Sequence, residues 1–352
     1  MGAFKRKARC SPQELPPLLQ SLLGWRPPRE PETEIDPFAD LKTCPVISYC
    51  EATLLQLPWA VLEAQRSRRP HRVQFEVDGE LPKGHADRSW RVGSGPSGLP
   101  GPFEREVFRA LEWIALEKFH AQGRRFQNPL YFQVPEVCER LCLKELSTNY
   151  RAVDRAIRDL AEVDIERTSL SAWSRSRETP AFSQRVRLID RVAFDPRPGP
   201  HRRPAFRRHA LYFGRYFVDS INAGRIRAMN WSVWIALKQT LSRRLLEILD
   251  FDSGLTAGRR ELGYSLENLA RLVPLREGFR SQAVREALDR AHAELIDQKY
   301  LESAEWIGSS PEARIVYRPG VAQTSIARLL RRQGLPVPPY RSLAPGCAAG
   351  SA

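Results

Sequence analysis

The sequence lacks any segment that approaches the roughly 18 consecutive apolar residues needed by a membrane-spanning helix. Its basic N-terminus has neither an unbroken apolar run nor a small-residue cleavage site, so it does not fit a secretory signal. Arg6 stands where a myristoylation signal requires Ser or Thr. These absences predict a cytoplasmic protein that makes no membrane contact.

Residues that form disulfides or bind metals are few and scattered. Six cysteines in 352 residues do not make a disulfide framework. Cys138 and Cys142 lie one turn apart on a predicted helix, without a second pair at zinc-finger spacing. We therefore expect buried thiols, no metal site and no cofactor.

Catalytic motifs are missing as well. A phosphate-binding glycine loop needs a following Lys and Ser or Thr, and the segment GSGPSGLPG has neither that Lys nor a preceding core strand. The six histidines are scattered, so neither a nucleophile–base pair nor the paired-His metal motif of a relaxase is indicated. The sequence predicts that the protein is not an enzyme.

Positive charge is abundant. The chain has 55 Lys and Arg against 41 Asp and Glu, a net charge of +14, and most of the positive residues are Arg. Such an excess favours a polyanionic partner. A GC-rich coding sequence would also enrich arginine, so the positions of the arginines must decide between the two explanations.

The first part of the chain predicts an arm followed by a winged-helix order. Residues 1–45 are rich in proline and charge and predict a mobile basic arm, with structure expected to begin near LLQLPWAVLEAQ. Two strands, HRVQFEVDG and SWRVGS, precede the long helix FEREVFRALEWIALEKFHAQG. The segment YFQVPEVCERLCLKELSTNYRAVDRAIRDLAEVDIERTSLSAW then predicts helix, turn, helix and strand, and RVRLIDRVAFD a returning strand.

A similar order recurs near the C-terminal end. The segments LSRRLLEILDF, YSLENLARLVPL and FRSQAVREALDRAHAELIDQK predict three helices, and YLESAEWIG with EARIVYRPG a hairpin. Apolar spacing is shared between two sets of residues, namely Val134, Val137, Leu141 and Leu143 in the first and Leu266, Leu269, Val273 and Leu275 in the second. We interpret this as two copies of one module, although short apolar periodicities also recur by chance.

The predicted fold is therefore α+β and helix-rich, with two tandem winged-helix domains. The first domain would cover 46–222, including the N-terminal strands and a basic Pro-rich insertion, and the second 223–320. A tail would follow over 321–352.

One helix of the first module carries a row of arginines. At about 100° per residue, Arg151, Arg155 and Arg158 share one face with Ser147 and Thr148, opposite an apolar stripe. In a helix-turn-helix the second helix lies in the major groove, where a guanidinium matches guanine O6 and N7 or a phosphate. We expect Ser147 or Thr148 to cap the helix and to offer a hydroxyl to phosphate. The alternative is a solvated face whose arginines pair with neighbouring acids, Asp154 or Asp159.

The corresponding helix of the second module, from about Phe279 to Gln298, is less basic. Glu286 and Asp289 lie on the face that would meet DNA, where acids repel phosphate. If this helix reads DNA, its first residues would do so, with Gln282 suited to adenine. These residues are Arg280, Ser281, Gln282 and Arg285.

Two loops add positive charge. The excursion between the first pair of wing strands carries Arg175, Arg177 and Arg185, where a wing would meet the flanking backbone or minor groove. The stiff segment DPRPGPHRRPAFRRHA contains Arg202 and Arg203 and could lie along a duplex. An ordinary solvated insertion explains that segment equally well.

With two winged-helix modules in view, the sequence resembles the plasmid replication initiator protein A family. The resembling segments are LPW at Leu57, NYRAVDRAIRDLAEVDIERT with RVRLIDRV, and YFVDSINAGRIRAMNWSVWIALKQTLSRRLLEIL. The last leads into residues 242–247, where such initiators begin their second module. The resemblance covers roughly residues 57 to 319.

The resemblance implies a non-enzymatic protein that binds repeated double-stranded DNA sites at the origin of a plasmid or secondary replicon. Such initiators promote local opening of an AT-rich region, recruit host helicase and initiator proteins, and often form homodimers and repress their own promoter. By position, the resemblance places Thr148, Tyr150, Arg151, Arg155 and Arg158 in the first recognition helix, and Gln282 and Arg285 in the second.

Two other interpretations stay open at this point. A winged-helix transcriptional regulator that binds its own promoter predicts the same helix and the same charges. A scaffold protein without a nucleic-acid ligand would leave the arginine row unexplained.

Overall fold

The computed structural model describes residues 46–62, 64–65, 69–76, 87–122, 125–169, 182–194, 208–223, 225–255, 261–273, 281–308 and 313–326. Helices and antiparallel strands alternate along these ranges, which confirms the predicted α+β class. The predicted arm over residues 1–45 and most of the predicted tail lie outside them. Across the described ranges, each helix is too short or too polar to cross a bilayer.

The N-terminal half contains the long helix and the first helix–helix–hairpin unit. Described structure begins earlier than LLQLPWAVLEAQ, because a buried strand precedes that segment. The elements are β1 (Ile47–Glu51), α1 (Ala52–Gln56), β2 (Arg72–Glu76), β3 (Asp87–Gly93), α2 (Pro102–Gln122), β4 (Leu130–Phe132), α3 (Val134–Arg140), α4 (Ser147–Ala161), β5 (Asp164–Ser169) and β6 (Phe182–Arg187). Strands β2, β3, β5 and β6 form one antiparallel sheet in that order, so both predicted strand pairs are confirmed.

A connecting region follows, made of β7 (Ile189–Ala193), β8 (His209–Phe213), α5 (Arg215–Asn222), β9 (Ile226–Asn230) and α6 (Trp231–Ala236). The segment RVRLIDRVAFD was expected to be one strand, and the structure divides it between β6 and β7. Leu188 and Ile189 are both buried, which breaks the alternation of a single strand. β7 therefore leaves the hairpin and pairs with β8, which pairs with β4.

Gly214 allows the end of β8 to lie close to the backbone at the break between β6 and β7. A Cβ atom at this position would lie 1.9 Å from the carbonyl oxygen of Arg187, so a side chain cannot be accommodated without moving the backbone. The Gly214 N–H donates to the carbonyl of Leu188 at 3.1 Å. Because glycine has no side chain, the backbone after β8 can pack directly on the backbone between β6 and β7.

The C-terminal half repeats the order of the first unit. Its elements are α7 (Thr240–Leu255), β10 (Leu262–Ser265), α8 (Leu266–Leu272), α9 (Ser281–Asp297), β11 (Leu301–Ile307), β12 (Arg314–Pro319) and α10 (Val321–Thr324). The strands form one antiparallel sheet in the order β10, β12, β11. Long helix, short strand, two further helices and a hairpin thus occur twice in the chain. The exact domain boundaries given above stay a prediction.

An ionic junction connects the two halves. We use this name for the side chains of Arg105, Arg109 and Glu112 on α2 and of Arg244 and Glu247 on α7, which are all buried. Glu247 is paired with Arg105, with Arg109 at 3.3 Å and with Arg244 at 3.6 Å. Arg109 Nη1 also lies 2.6 Å from Glu112. Charges of both signs therefore fill a site where two units of a protein commonly meet through apolar side chains.

The junction is bonded to the backbone as well as to itself. Arg244 donates to the carbonyl of Leu55 at 2.5 Å and to that of Leu272 at 3.0 Å, so it joins α1 to the end of α8. Burial by itself would raise the pKa of Glu247, but the surrounding arginines, Arg105 foremost, hold it at about 2. Burial raises the pKa of Glu112 to about 7, even though Arg109 acts in the opposite direction.

Candidate nucleic-acid interface

The turn before α4 is fixed by a buried amide. Asn149 is 3% exposed, and its side-chain amide donates to the carbonyl of Lys144 at 2.8 Å. The Leu146 N–H donates to the same carbonyl at 2.8 Å, and the Tyr150 N–H donates to Leu146 at 3.0 Å. The sequence prediction missed Asn149, which holds the start of the helix in one position relative to α3.

The predicted helix cap was wrong. Leu146 occupies the N-cap, with extended backbone angles and no hydrogen bond from its side chain to the backbone. Ser147 and Thr148 stand one and two residues inside the helix, where their hydroxyls cannot play the capping role. Both side chains are exposed, so both remain available to a ligand.

The arginine face of α4 has the geometry that its spacing predicts. Arg151 and Arg155 are exposed. Among the described residues, neither guanidinium forms an ion pair, so the alternative of arginines paired to Asp154 or Asp159 does not describe them. The opposite side of the helix is buried, through Val153, Ala156, Ile157 and Leu160.

Arg158 differs from the other two arginines. Its guanidinium carbon lies 4.0 Å from the centre of the Phe194 ring, just beyond the end of β7. Burial raises the pKa of the neighbouring Asp154, while His209 and Arg158 act in the opposite direction. Arg158 is exposed, and its stacking on Phe194 connects the last turn of α4 to the residue that follows β7.

The predicted position of Arg185 was wrong. It was assigned to the excursion between the wing strands, and the structure places it inside β6, opposite Glu166 in the ladder. Its guanidinium nitrogen Nε lies 2.9 Å from Asp164 Oδ2. The ladder pairs Ser169 with Phe182, so β6 begins three residues before the predicted strand RVRLIDRVAFD. The other two arginines of that excursion, Arg175 and Arg177, lie outside the described residues.

The basic segment before β8 is described only at its end. Arg202 and Arg203 lie outside the described residues. Arg208 is exposed, and its guanidinium carbon lies 4.4 Å from the centre of the Tyr131 ring on β4. The last residue of this segment before β8, Arg208, is therefore stacked on an aromatic ring of the neighbouring strand β4.

The second candidate helix, α9, is engaged with its own hairpin. The guanidinium of Arg285 lies 4.9 Å from the centre of the Trp306 ring on β11, and the Trp306 indole N–H donates to Asp289 at 2.7 Å. Gln282 donates its amide to Glu286 at 3.0 Å, one turn along the exposed face. The acidic face that distinguishes this helix therefore has a structural use, because Asp289 holds the hairpin.

The first residues of α9 are only partly described. Arg280 lies outside the described residues, and Ser281 is the first residue of the helix.

Trp306 and Phe194 were not among the predicted site residues. An aromatic residue on or just after a strand that follows an arginine-bearing helix is the sequence signal that could have pointed to both.

Comparison with known proteins gives a likeness of fold. No family model matches the sequence, and no curated protein does. The chain is similar to the solved structure of domains 2 and 3 of RctB, as selenomethionine derivatives, with a TM-score of 0.50 and 12% identity over 76% of this chain and 98% of that one. A second structure of RctB domains 2–3 gives a TM-score of 0.42 at 12% identity over 73% and 97% of the two chains.

A third similar structure is that of the Pi initiator protein in complex with iteron DNA. It gives a TM-score of 0.41 at 12% identity, and covers 62% of this chain and 93% of that chain. The resemblance predicted from the sequence is confirmed as a likeness of fold, which rests on domains 2 and 3 of RctB.

Proposed function

We propose that this protein is a replication initiator of a plasmid or secondary replicon, which binds repeated double-stranded DNA sites at an origin through two tandem winged-helix domains. The observation that carries the proposal is the exposed face of α4, where Arg151 and Arg155 are free of ion pairs among the described residues. The fold shared with RctB domains 2 and 3 supports it, since the likeness covers 76% of this chain.

In this proposal α4 lies in the major groove. Arg151 and Arg155 read base edges, because a guanidinium fork matches O6 and N7 of guanine. Ser147 and Thr148 bind a phosphate together with the free N–H groups of the first turn. Arg158, stacked on Phe194, contacts the backbone at the other end of the helix.

The second unit contributes less to base reading. Arg285 is partly covered by its contact with Trp306, and Gln282 is bonded to Glu286. We assign α9 mainly to orientation on the duplex, with Gln282 as its one base-reading candidate. The loop arginines Arg175, Arg177, Arg202 and Arg203 would meet phosphate along the flanking DNA.

The wider role follows the same proposal. A bound initiator would promote opening of an adjacent AT-rich tract and recruit host helicase and initiator proteins, and a homodimer would repress its own promoter. No catalytic step is required of this chain. Two unequal units in one chain suit asymmetric direct repeats, whereas one unit per subunit of a dimer suits a palindrome.

The test is a footprint of the purified protein on the DNA surrounding its own gene, at stated salt and with random competitor DNA. Protection of direct repeats beside an AT-rich tract supports the initiator, and protection of one promoter site would assign the protein to the transcriptional regulators. Arg155→Ala should abolish the footprint at protein concentrations where Arg215→Ala retains it, because Arg215 is exposed and paired with Asp219 at 3.4 Å on α5. If the two variants gave the same footprint, α4 would not be part of the DNA-binding surface.

A further inference from the structure

The sheet formed by β4, β8 and β7 has one side turned to the interior and one turned to solvent. Burial alternates along β4 and β8. The ladders place Tyr131 opposite Ala210, and they place Tyr212 opposite Arg191. Because the side chains of a ladder pair point to the same side of a sheet, these residues share the solvent side. We call it the outer face, and it is formed by Tyr131, Arg191, Ala193, Arg208, Ala210 and Tyr212.

Two arginines of the outer face are stacked on its two tyrosines. The guanidinium carbon of Arg191 lies 4.1 Å from the centre of the Tyr212 ring. That of Arg208 lies 4.4 Å from the centre of the Tyr131 ring. Both arginines are exposed, and among the described residues neither forms an ion pair. Each stack therefore holds a cation in place while its N–H groups stay available to a ligand.

The rest of the outer face has small side chains and little negative charge. Ala210 stands between Arg208 and Tyr212 on β8, and Ala193 lies opposite it on β7, so the two stacks are separated by alanines. The three strands contain one acid, Asp190, which is exposed at the bulge of β7. The Tyr131 side chain is 46% exposed even with Arg208 stacked on it. The face thus combines exposed rings with a net positive charge, which suits a polyanion.

The outer face points away from the helix that is proposed to read duplex DNA. Phe194 follows β7 on the inner side of the sheet, where its ring centre lies 5.2 Å from that of the buried His209. Arg158 of α4 stacks on the same Phe194 ring. Since α4 contacts the inner side, a ligand on the outer face leaves the arginines of α4 accessible to a duplex.

The combination of rings and cations fits a single strand better than a duplex. The bases of a duplex stack on one another, and a protein reaches only their edges and the backbone. Unpaired bases stack on aromatic rings or on guanidinium planes, and sheet surfaces with exposed aromatic residues bind single strands in this way.

We propose that the outer face binds single-stranded DNA, with bases stacked on the two Arg–Tyr pairs and phosphates bound by the guanidinium N–H groups. The inference rests on the proposed function for the source of its ligand, which is one strand of the opened AT-rich tract. Duplex sites would occupy α4 while the separated strand occupies the opposite side of the same unit.

Fluorescence anisotropy with a labelled thymidine oligonucleotide of about 15 nucleotides tests the proposal on the full-length protein. Tyr131→Ala should weaken binding about tenfold, the loss of one base–aromatic stack, and Tyr131→Phe should bind normally because the ring is kept. Arg191→Ala should weaken binding and lower its salt dependence. Arg215→Ala is the matched control, since Arg215 is exposed and already paired with Asp219, and it should bind normally.

Two further measurements locate the ligand. Tyr131→Ala should retain the footprint on duplex DNA, because α4 lies on the other side of the sheet. Photocrosslinking of the unsubstituted protein to an oligonucleotide that carries 5-bromodeoxyuridine should attach it to peptides that contain Tyr131 or Tyr212. This readout requires no substitution in the sheet.

Equal binding of the oligonucleotide by Tyr131→Ala and the unsubstituted protein, or crosslinks confined to other peptides, would overturn the inference. Loss of the duplex footprint by a folded Tyr131→Ala variant would also overturn it, since the face would then belong to the duplex-binding surface. Tighter binding of the matching uridine RNA would overturn the assignment to an opened DNA strand. A changed sedimentation of Tyr131→Ala without oligonucleotide binding would make the face an interface between copies of the chain.

The outcomes also separate this inference from the proposed function. A protein that keeps its duplex footprint and does not bind the oligonucleotide overturns the single-strand site alone. Oligonucleotide binding that depends on Tyr131, without any sequence-specific footprint, overturns the initiator proposal and leaves the single-strand site standing.

Discussion

The guanidinium of Arg109 lies 3.3 Å from the carboxylate of Glu247, although 138 residues separate them in the chain. Both side chains are fully buried, and Arg109 also donates to the carbonyl of Leu54 at 2.9 Å. The pair therefore ties α2 to α7 and both to α1. Its strength depends on complete pairing, because an isolated buried charge is far less stable than a paired one.

Replacing Glu247 by alanine should strongly destabilise the protein. The change would leave the guanidinium groups of Arg105, Arg109 and Arg244 buried beside one another, and removal of one partner from a buried pair costs about 3–5 kcal/mol. Urea unfolding at neutral pH measures the loss. The control is Glu261→Ala, which breaks a surface pair with Arg318 and should cost at most about 1 kcal/mol. Similar losses for the two variants would contradict the assigned role of the junction.

The contribution of Asp250 to the stability of the protein should fall as the pH rises from about 4 to about 8. This carboxyl accepts a hydrogen bond from the Tyr300 hydroxyl at 2.5 Å, and burial raises its pKa to about 8. In the unfolded chain the group ionises near pH 4, so over this range the folded state holds the extra proton. The resulting loss is at most about 1.4 kcal/mol of unfolding free energy per pH unit.

Asp250→Asn should remove this slope, since the amide oxygen can still accept the Tyr300 hydrogen bond and does not ionise. The measurement is chemical denaturation at several pH values for the variant and the unsubstituted protein. Asp219→Asn on the exposed side of α5 provides the control and should retain the slope. Parallel pH profiles for the Asp250 variant and the unsubstituted protein would show that Asp250 ionises normally when folded.

A second titration, that of His292, should act in the opposite direction between about pH 4 and pH 6.5. Burial lowers the pKa of this imidazole to about 4, although Asp289 acts in the opposite direction. Its Nε2 lies 2.9 Å from the Tyr317 hydroxyl on β12. A histidine held neutral contributes stability above pH 6.5, and that stability is lost as the pH falls through about 4. His292→Gln should lack this contribution to the pH dependence of the unfolding free energy, and an imidazole NMR titration with a midpoint near 6.5 would disprove the prediction.

Arg155→Ala should weaken specific DNA binding by about 1–3 kcal/mol, the cost of one lost bidentate base contact. Replacing Arg202 and Arg203 together should instead weaken binding to all sequences and flatten the salt dependence, because phosphate contacts release counterions. Competition binding at several salt concentrations compares the variants. If Arg155→Ala loses as much on random DNA as on the specific site, it contacts phosphate and does not read a base.

Local patterns predicted the helices well, because the apolar stripe of α4 and its arginine face follow from residue spacing alone. Residue spacing gave no information about the charges of α2. Arg105, Arg109 and Glu112 recur at the spacing of a solvent-exposed stripe, yet their partner Glu247 lies far along the chain. No local pattern could show that these side chains are buried.

The prediction for the start of α4 failed for a related reason. Serine is the favoured cap by propensity, but the turn is set by the bond between Asn149 and Lys144, which moves the cap to Leu146. The contacts of Arg158 with Phe194 and of Arg285 with Trp306 also depend on how a strand returns to a helix. Residue type and helical face were predictable, and the contacts between elements were not.

The pairing of β1 with β9 gives the order of synthesis a role in folding. Cys50 and its ladder partner Arg227 are 177 residues apart, and the ladder runs from Ile47 opposite Asn230 to Glu51 opposite Ile226. On the ribosome, β1 emerges long before β9 and must wait with its backbone unpaired while the whole first unit is translated. We expect the first unit to close only after residue 230 has left the exit tunnel, so a nascent chain stalled before that point should be sensitive to protease at β1.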